Sequence, residues 1–167
     1  MTLDAFNHLP GEELHKQLFN CCGSKTWAGR MMVLFPFASL DSLLEAAADE
    51  WQQCGVDDWM EAFGHHPKIG DIASLEKKFA STAAIAGGEQ SSVRHATPET
   101  LQALAAANRE YEARFGFIFI VCATGKSAVE MLELLQDRLN NSRDAEIVNA
   151  MREQQKITAL RLQKIIS

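Results

Sequence analysis

The sequence has no apolar run of the roughly 18 residues that a membrane span needs. Its N-terminus, Met1-Thr2-Leu3-Asp4-Ala5, also lacks the basic region and apolar stretch of a secretory signal. Positive charge is scarce, because 16 Lys and Arg face 22 Asp and Glu and give a formal net charge of −6. Since binding to nucleic acid relies on clustered Lys and Arg that neutralise phosphates, the sequence predicts neither a nucleic-acid partner nor a membrane segment.

Cysteine is also scarce and forms no recognisable motif. Cys21, Cys22, Cys54 and Cys122 have neither metal-ligand nor redox spacing, and a bridge between the adjacent Cys21 and Cys22 would be strained. We therefore expect free thiols in a reducing cytosol. With 167 residues, the chain is long enough to bury a core without disulfides or a metal, so residues 1–167 are predicted to form one domain.

Helical periodicity is the main pattern along the chain, with apolar residues recurring at intervals of three and four. Capping residues, glycine and proline divide the pattern into segments, with Gly55 as the expected terminator of the third. The predicted helices run from Gly11 to Cys22, from Ser24 to before Pro36, from Ser39 or Asp41 to Gly55, from Asp57 or Asp58 to Phe63, from Ile72 to Ser81, from Thr97 to near Gly116, from Ser127 to Asn140 and from about Asp144 to Ile166. The first two of these are expected to open the fold. The apolar positions assigned to the last helix are Ile147, Met151, Ile157, Leu160 and Ile165.

The run Phe117-Ile118-Phe119-Ile120-Val121-Cys122-Ala123 is apolar throughout and rich in β-branched and aromatic residues. Periodicity alone does not separate a buried strand from a buried helix here. Because one strand would have no partner in an otherwise helical chain, the run is predicted to be buried, partly irregular backbone. It leads to an expected turn at Thr124-Gly125-Lys126.

Two polar, glycine-bearing segments interrupt the helical pattern: His65-His66-Pro67-Lys68-Ile69-Gly70-Asp71 and Gly87-Gly88-Glu89-Gln90. They place an imidazole and a carboxylate where the backbone leaves the helix, and such segments on a rigid scaffold commonly carry chemistry. Because a residue before proline is pushed toward extended backbone, His66 is predicted at a helix exit, with its imidazole able to face a pocket. The two segments are the candidate site.

Four blocks of sequence occur in a characteristic order: Phe63 to Asp71, Glu89-Gln90, Asn108 and Tyr111 with Arg114 to Ile120, and Lys156 to Leu162. Together they resemble the OHCU decarboxylases, which convert 2-oxo-4-hydroxy-4-carboxy-5-ureidoimidazoline to (S)-allantoin in urate degradation. The resemblance spans nearly the whole chain. It implies an all-α, single-domain multi-helix bundle of about seven to nine helices, usually a homodimer, that acts on a small ureidoimidazoline without a metal or organic cofactor. The closing residues Lys164-Ile165-Ile166-Ser167 differ from the peroxisomal Ser-Lys-Leu of some eukaryotic relatives, which favours a cytoplasmic, bacterial enzyme.

The resemblance also assigns roles to individual residues. His66 matches the catalytic histidine of the family and Pro67 the proline that lines the site beside it. Glu89 and Gln90 match the acid-amide pair that holds the substrate, and Glu89 is counted with His66 as catalytic. The other substrate-binding positions are Ala86, Gly87 and Gly88, with serine at Ala86 in one branch of the family, and Phe119, Ile120, Val121, Cys122 and Ala123, which offer backbone groups.

The expected chemistry is proton transfer, because the C=N and carbonyl groups of the substrate can accept the electron pair that decarboxylation releases. His66 would exchange a proton with the 4-hydroxyl or deliver one to the carbon that loses CO2. An imidazole has an unperturbed pKa near 6.5, and general acid-base catalysis contributes about 10²–10⁴-fold. Glu89 could fix the ureido N–H groups, accept a hydrogen bond from the hydroxyl, or disfavour the ground-state carboxylate, whereas Gln90 suits a ureido or imidazolone edge.

Each assignment has a structural alternative. His66 could balance a helix dipole at a C-terminus, which is the role assigned to His65, and Glu89 could be a solvated acid. Arg161 could bind an acidic neighbour or the substrate carboxylate, and the structural role is preferred. The three tryptophans, Trp27, Trp51 and Trp59, are expected in the core or at a dimer surface.

Two other classes of protein remain open. A metal-dependent hydrolase could use His65, His66, His95 and Asp71, although adjacent histidines before a proline do not give the i, i+4 geometry of a helical zinc site. A non-catalytic helical protein-interaction module is the second alternative, and it would expose an apolar patch.

Overall fold

A computed structural model of the chain describes residues 1–67 and 97–167. These residues form eight helices and no strand, which confirms the expected all-α fold class. They fall into two compact units, the first made of Met1–His66 with Asn149–Ser167 and the second of the described part of Pro67–Val148. The single domain stays a prediction, and the helix expected over residues 72–81 lies outside the described residues. The helices are α1 (Leu3–Asn7), α2 (Gly11–Cys22), α3 (Lys25–Met32), α4 (Leu40–Gln53), α5 (Val56–Gly64), α6 (Pro98–Phe115), α7 (Ala128–Arg138) and α8 (Arg143–Ile165).

The short helix α1 begins the fold, so the prediction that two helices open it is wrong. The Thr2 side chain caps α1 by accepting a hydrogen bond from the Ala5 N–H at 3.1 Å. Asp4 in the first turn adds a favourable charge near the positive end of the helix dipole. Five residues are too few to show a repeated apolar stripe, which is why periodicity missed this helix.

The predicted boundary between α2 and α3 is confirmed. Helix α2 ends at Gly23, which has a φ of 85°, a left-handed conformation that favours glycine. Ser24 then caps α3, because its side-chain oxygen accepts a hydrogen bond from the Trp27 N–H at 3.1 Å.

Helix α4 begins after Ser39, where Ser39 and Ser42 cap each other reciprocally. The predicted role of Gly55 is wrong, since its φ of −90° is not left-handed and it is the N-cap of α5 instead. The Asp58 carboxylate accepts a hydrogen bond from the Gly55 N–H at 3.0 Å. A carboxylate in the first turn is therefore the signal that sets this boundary.

Two buried tryptophans organise the core of the first unit. The Trp27 indole donates to the Ala47 carbonyl at 3.0 Å, and the Trp51 indole donates to the Met151 carbonyl at 2.9 Å. Helix α3 also packs against α2, α4 and α5. The expectation that Trp27 and Trp51 are core residues is confirmed, and Trp59 is half-buried with its indole donating to the Trp51 carbonyl at 3.0 Å.

In the second unit, α6 packs against α7. Helix α6 starts as predicted, with Thr97 as N-cap and Pro98 in the first turn, and it ends at Gly116, whose φ is 83°. The predicted irregular backbone over 117–123 is also confirmed, followed by a turn at Thr124 and Gly125. None of the described helices is both long and apolar enough to cross a bilayer.

Candidate active site

His66 lies where the prediction placed it, just beyond the end of a helix. Helix α5 ends at Gly64, His65 is its C-cap, and Pro67 follows His66. The His65 ring packs edge-on against Phe19, with ring centroids 4.8 Å apart. A Cβ atom at Gly23 would lie 2.7 Å from the His65 Cβ, so the end of α2 approaches this helix exit very closely.

The His66 ring is held by a polar side chain from α8. Its Nε2 is hydrogen-bonded to the Oε1 of Gln154, which is 0% exposed. Gln154 Nε2 donates to the Thr158 hydroxyl oxygen at 3.2 Å, and the Thr158 hydroxyl donates to the Cys21 carbonyl at 3.3 Å. We call this chain of hydrogen bonds, from Cys21 through Thr158 and Gln154 to His66, the Gln154–Thr158 relay.

Arg161 lies one turn beyond Thr158 and binds backbone carbonyl groups. Its Nη1 donates to the Cys21 carbonyl at 3.2 Å and to the Asn20 carbonyl at 3.4 Å. These carbonyls belong to the last turn of α2, where carbonyl groups lack partners within their own helix. Arg161 and Thr158 together therefore stabilise the end of the helix on which the relay is anchored.

The predicted substrate-binding run 119–123 lies in the second unit and is mostly buried. Arg138 Nη1 donates to the Ile120 carbonyl at 2.7 Å, and its guanidinium lies 4.6 Å from the centre of the Phe119 ring. Lys126 Nζ donates to the Cys122 carbonyl at 2.8 Å, and the Lys126 N–H donates to the Ala123 carbonyl at 3.0 Å. Hydrogen bonds from Arg138 and Lys126, two residues of the same unit, thus fix the conformation of this irregular backbone.

Several predicted site residues lie outside the described part of the chain, including all of the second polar segment. Within residues 1–67 and 97–167, no group of three or more His, Cys, Asp and Glu side chains is arranged to hold a metal ion. Of the residues considered for a metal site, His65 packs on Phe19 and His66 bonds to Gln154. The positions outside the described residues are Asp71, Ala86, Gly87, Gly88, Glu89, Gln90 and His95.

Apolar periodicity on the last helix predicts no role for Gln154 or Thr158. Leu160, one of the predicted apolar positions, is 41% exposed, whereas the buried stripe of this part of α8 runs through Met151, Gln154, Thr158 and Leu162. Polar residues at two core positions of a helix can be recognised in the sequence and indicate a buried hydrogen-bond network. Such residues need hydrogen-bond partners in the interior, and here one partner is the candidate catalytic histidine.

The described residues define an all-α protein whose candidate site contains a histidine at a helix exit, bonded to a buried glutamine. The chain belongs to the OHCU decarboxylase family, whose model matches residues 7–163. It is 39% identical over 150 residues to the uric acid degradation bifunctional protein of Arabidopsis thaliana, covering 88% of this chain and 45% of that one. It is 30% identical over 141 residues to the 2-oxo-4-hydroxy-4-carboxy-5-ureidoimidazoline decarboxylase of Halalkalicoccus jeotgali, covering 84% of this chain and 74% of that one.

A solved structure shows the same fold. The crystal structure of an OHCU decarboxylase in the presence of (S)-allantoin matches with a TM-score of 0.73 and 37% identity, covering 89% of this chain and 96% of that one. The chain therefore spans less than half of the bifunctional plant relative but nearly all of this solved decarboxylase chain.

Proposed function

We propose that this protein decarboxylates 2-oxo-4-hydroxy-4-carboxy-5-ureidoimidazoline to (S)-allantoin. The observation that carries the proposal is the placement of His66, at a helix exit and hydrogen-bonded through Nε2 to the buried Gln154, in a chain that the family model matches over residues 7–163. The relative with 37% identity whose structure was solved in the presence of (S)-allantoin supports the choice of product.

The electron flow follows from the structure of the substrate. C2 carries the oxo group and C4 is saturated, so the ring double bond lies between C5 and N1. When the bond from C4 to the carboxylate breaks, its electron pair forms a C4=C5 bond and the C5=N1 pair moves to N1, which takes up a proton. The resulting enol then loses its 4-hydroxyl proton and gains a proton at C5. The substrate supplies the electron sink, so the proposed reaction uses no organic cofactor or metal.

His66 is the proposed acid-base group in the enol step. A neutral imidazole accepts the 4-hydroxyl proton, and the imidazolium delivers a proton to C5, so the ring returns to its starting state. The proton reaches C5 rather than the carbon that loses CO2, because C4 becomes the carbonyl carbon of the product. Delivery to one face of C5 sets the (S) configuration, which requires a fixed ring.

The remaining site residues are proposed from the family resemblance. Glu89 is the second catalytic residue, and Gln90, Pro67, Ala86, Gly87 and Gly88 shape and bind the substrate. In the run 119–123, the carbonyls of Ile120, Cys122 and Ala123 already accept hydrogen bonds from Arg138 and Lys126. We therefore expect the substrate to use backbone N–H groups of this run, since N–H donors suit a carboxylate or an oxyanion.

The proposed setting is a homodimer in the cytoplasm. The four cysteines are buried and form no disulfide bond, which is consistent with a reducing compartment. Light scattering of the purified protein would give its mass, and a monomer of 18.5 kDa at micromolar concentration would contradict the dimer.

The test generates the substrate in situ from urate with urate oxidase and hydroxyisourate hydrolase, and follows the circular dichroism of (S)-allantoin. The wild-type protein should accelerate growth of this signal, and His66→Gln should lower the rate about 10²-fold or more. His65→Gln is the matched control, because the neighbouring ring is exposed and packs on Phe19. It should retain most of the activity.

Two outcomes would contradict the proposal. If folded wild-type protein leaves the slow racemic background unchanged, the chain does not catalyse this reaction. If His66→Gln and His65→Gln lower the rate equally, His66 is not the acid-base group.

A further inference from the structure

The proton positions in the Gln154–Thr158 relay can be assigned from its fixed end. The Cys21 carbonyl can only accept, so the single hydroxyl proton of Thr158 points toward it across 3.3 Å. The hydroxyl oxygen then accepts a proton from Gln154 Nε2 at 3.2 Å. This turns the amide oxygen of Gln154 toward His66, and because that oxygen only accepts, the proton between them lies on His66 Nε2.

A neighbouring group supports the place of the Cys21 carbonyl at the end of the relay. Arg161 Nη1 donates to the Cys21 carbonyl at 3.2 Å and holds the anchor in place, since a carbonyl oxygen has two lone pairs.

We infer that Gln154, oriented by Thr158, is a positioning residue that fixes His66 in the tautomer protonated on Nε2. The catalytic consequence of this inference rests on the proposed function of His66. A neutral imidazole in water exchanges between two tautomers, whereas a ring bonded to a fixed acceptor keeps one. With Nε2 donating to Gln154, Nδ1 is the nitrogen that accepts a proton in the neutral ring and returns it from the imidazolium. The same nitrogen then serves in every turnover.

Thr158→Val and Thr158→Ser form a matched pair for the test. Valine keeps the shape of threonine but removes the hydroxyl, so the Gln154 amide loses the group that orients it and can present either its oxygen or its nitrogen to His66. Serine keeps the hydroxyl. The readout is the pair of ¹⁵N chemical shifts of the His66 ring nitrogens in neutral imidazole, identified by their loss in His66→Gln.

Wild type and Thr158→Ser should show one tautomer, protonated on Nε2, and Thr158→Val should show a mixture. In the allantoin assay, Thr158→Val should lower kcat about 2- to 10-fold, in proportion to the fraction in the wrong tautomer. KM should change less than about twofold, because the relay acts on the ring rather than on the substrate. A loss of packing alone would not move the tautomer.

The inference fails if the wild-type ring is protonated on Nδ1, or if folded Thr158→Val keeps one tautomer and full kcat. If circular dichroism shows that Thr158→Val does not fold, Gln154→Met is measured instead, because methionine has nearly the shape of glutamine but no amide. An unchanged Nε2-protonated tautomer in Gln154→Met overturns the inference. A folded wild-type protein with the assigned tautomer and no decarboxylation would instead overturn the proposed function and leave the tautomer assignment in place.

Discussion

The fully buried Glu146 accepts a hydrogen bond from the Nε of Arg138 at 2.7 Å. The same carboxylate accepts from the Tyr111 hydroxyl at 2.6 Å and from the Asn141 amide at 2.8 Å. Arg138 continues the network, since its Nη1 donates to the Ile120 carbonyl. The carboxylate charge of Glu146, which is costly to bury, is thus compensated by these hydrogen bonds. The same network connects α6, α7 and the start of α8 to the irregular run 119–123.

Replacing Glu146 with Gln should destabilise the protein strongly. The change keeps the shape of the side chain but places a neutral amide opposite the Arg138 guanidinium. The Arg138 side chain is only 11% exposed. Breaking one side of a buried ion pair costs about 3–5 kcal/mol. Urea denaturation should therefore show a lower midpoint and a loss of free energy of unfolding within that range.

Lys156→Gln is the control for this prediction. Lys156 pairs with Glu153 at 2.6 Å, but the lysine side chain is 64% exposed, and exposed pairs contribute about 0–1 kcal/mol. If the Glu146 and Lys156 variants lose equal stability, burial does not determine the strength of the Arg138–Glu146 pair.

Tyr111, the single tyrosine of the chain, should stay protonated well above the pH at which free tyrosine ionises. Burial raises the pKa of its hydroxyl above 10, and the hydrogen bond to Glu146 raises it further. Tyrosinate absorbance near 295 nm should therefore be absent from the folded protein at pH 10.5 and appear on unfolding, with Tyr111→Phe as the blank. As the pH rises, the Tyr111 hydroxyl loses its proton in the unfolded state before it does so in the folded state. The contribution of Tyr111 to the free energy of unfolding should therefore be constant below about pH 10 and decrease as the pH rises further. A half-titrated tyrosine in the folded protein at pH 10 would contradict the assignment.

Most helices could be predicted because their signals are local. Ser24, Ser39 and Thr97 cap helices where the sequence places them, and Gly23 and Gly116 end helices in the left-handed conformation. The short α1 was missed because five residues do not establish a period. The run 117–123 could be identified as buried but not given a shape, since its geometry depends on Arg138 and Lys126 from elsewhere in the chain.

The candidate site was predictable in part. His66 precedes a proline, which fixed its place at a helix exit, and the family resemblance supplied its role. Its partner Gln154 lies 88 positions away in sequence, and no local pattern joins the two residues. Hydrogen bonds between distant side chains depend on the packing of the fold, so the relay could be found only from the structure.

The cysteines should react slowly in the folded protein. Burial raises the pKa of Cys21 to about 11 and that of Cys54 to about 11, and the thiolate is the form that reacts with alkylating reagents. At pH 8, iodoacetamide should modify the folded protein far more slowly than the guanidinium-unfolded chain, in which all four thiols should react. Rapid loss of a thiol without unfolding, measured by mass spectrometry, would show that one of these side chains is accessible.

Gly23 should be required both for the end of α2 and for the position of the His65-His66 segment. Its φ of 85° is unfavourable for any residue with a Cβ, at a cost of about 1–2 kcal/mol, and that Cβ would lie 2.7 Å from the Cβ of His65. Gly23→Ala should therefore lose more stability than the conformational cost alone. It should also lower kcat, since relief of the clash moves the helix exit that carries His66.

Gly116→Ala is the control that measures only the cost of placing a residue with a Cβ in the left-handed conformation. Gly116 has nearly the same φ, 83°, but a Cβ there would meet nothing within 4 Å among the described residues. Its loss of free energy of unfolding should stay near 1–2 kcal/mol, and the difference between the two alanine variants measures the contact with His65. Equal losses would mean that His65 shifts without cost. In that case the close approach of α2 does not position His66, the candidate catalytic histidine.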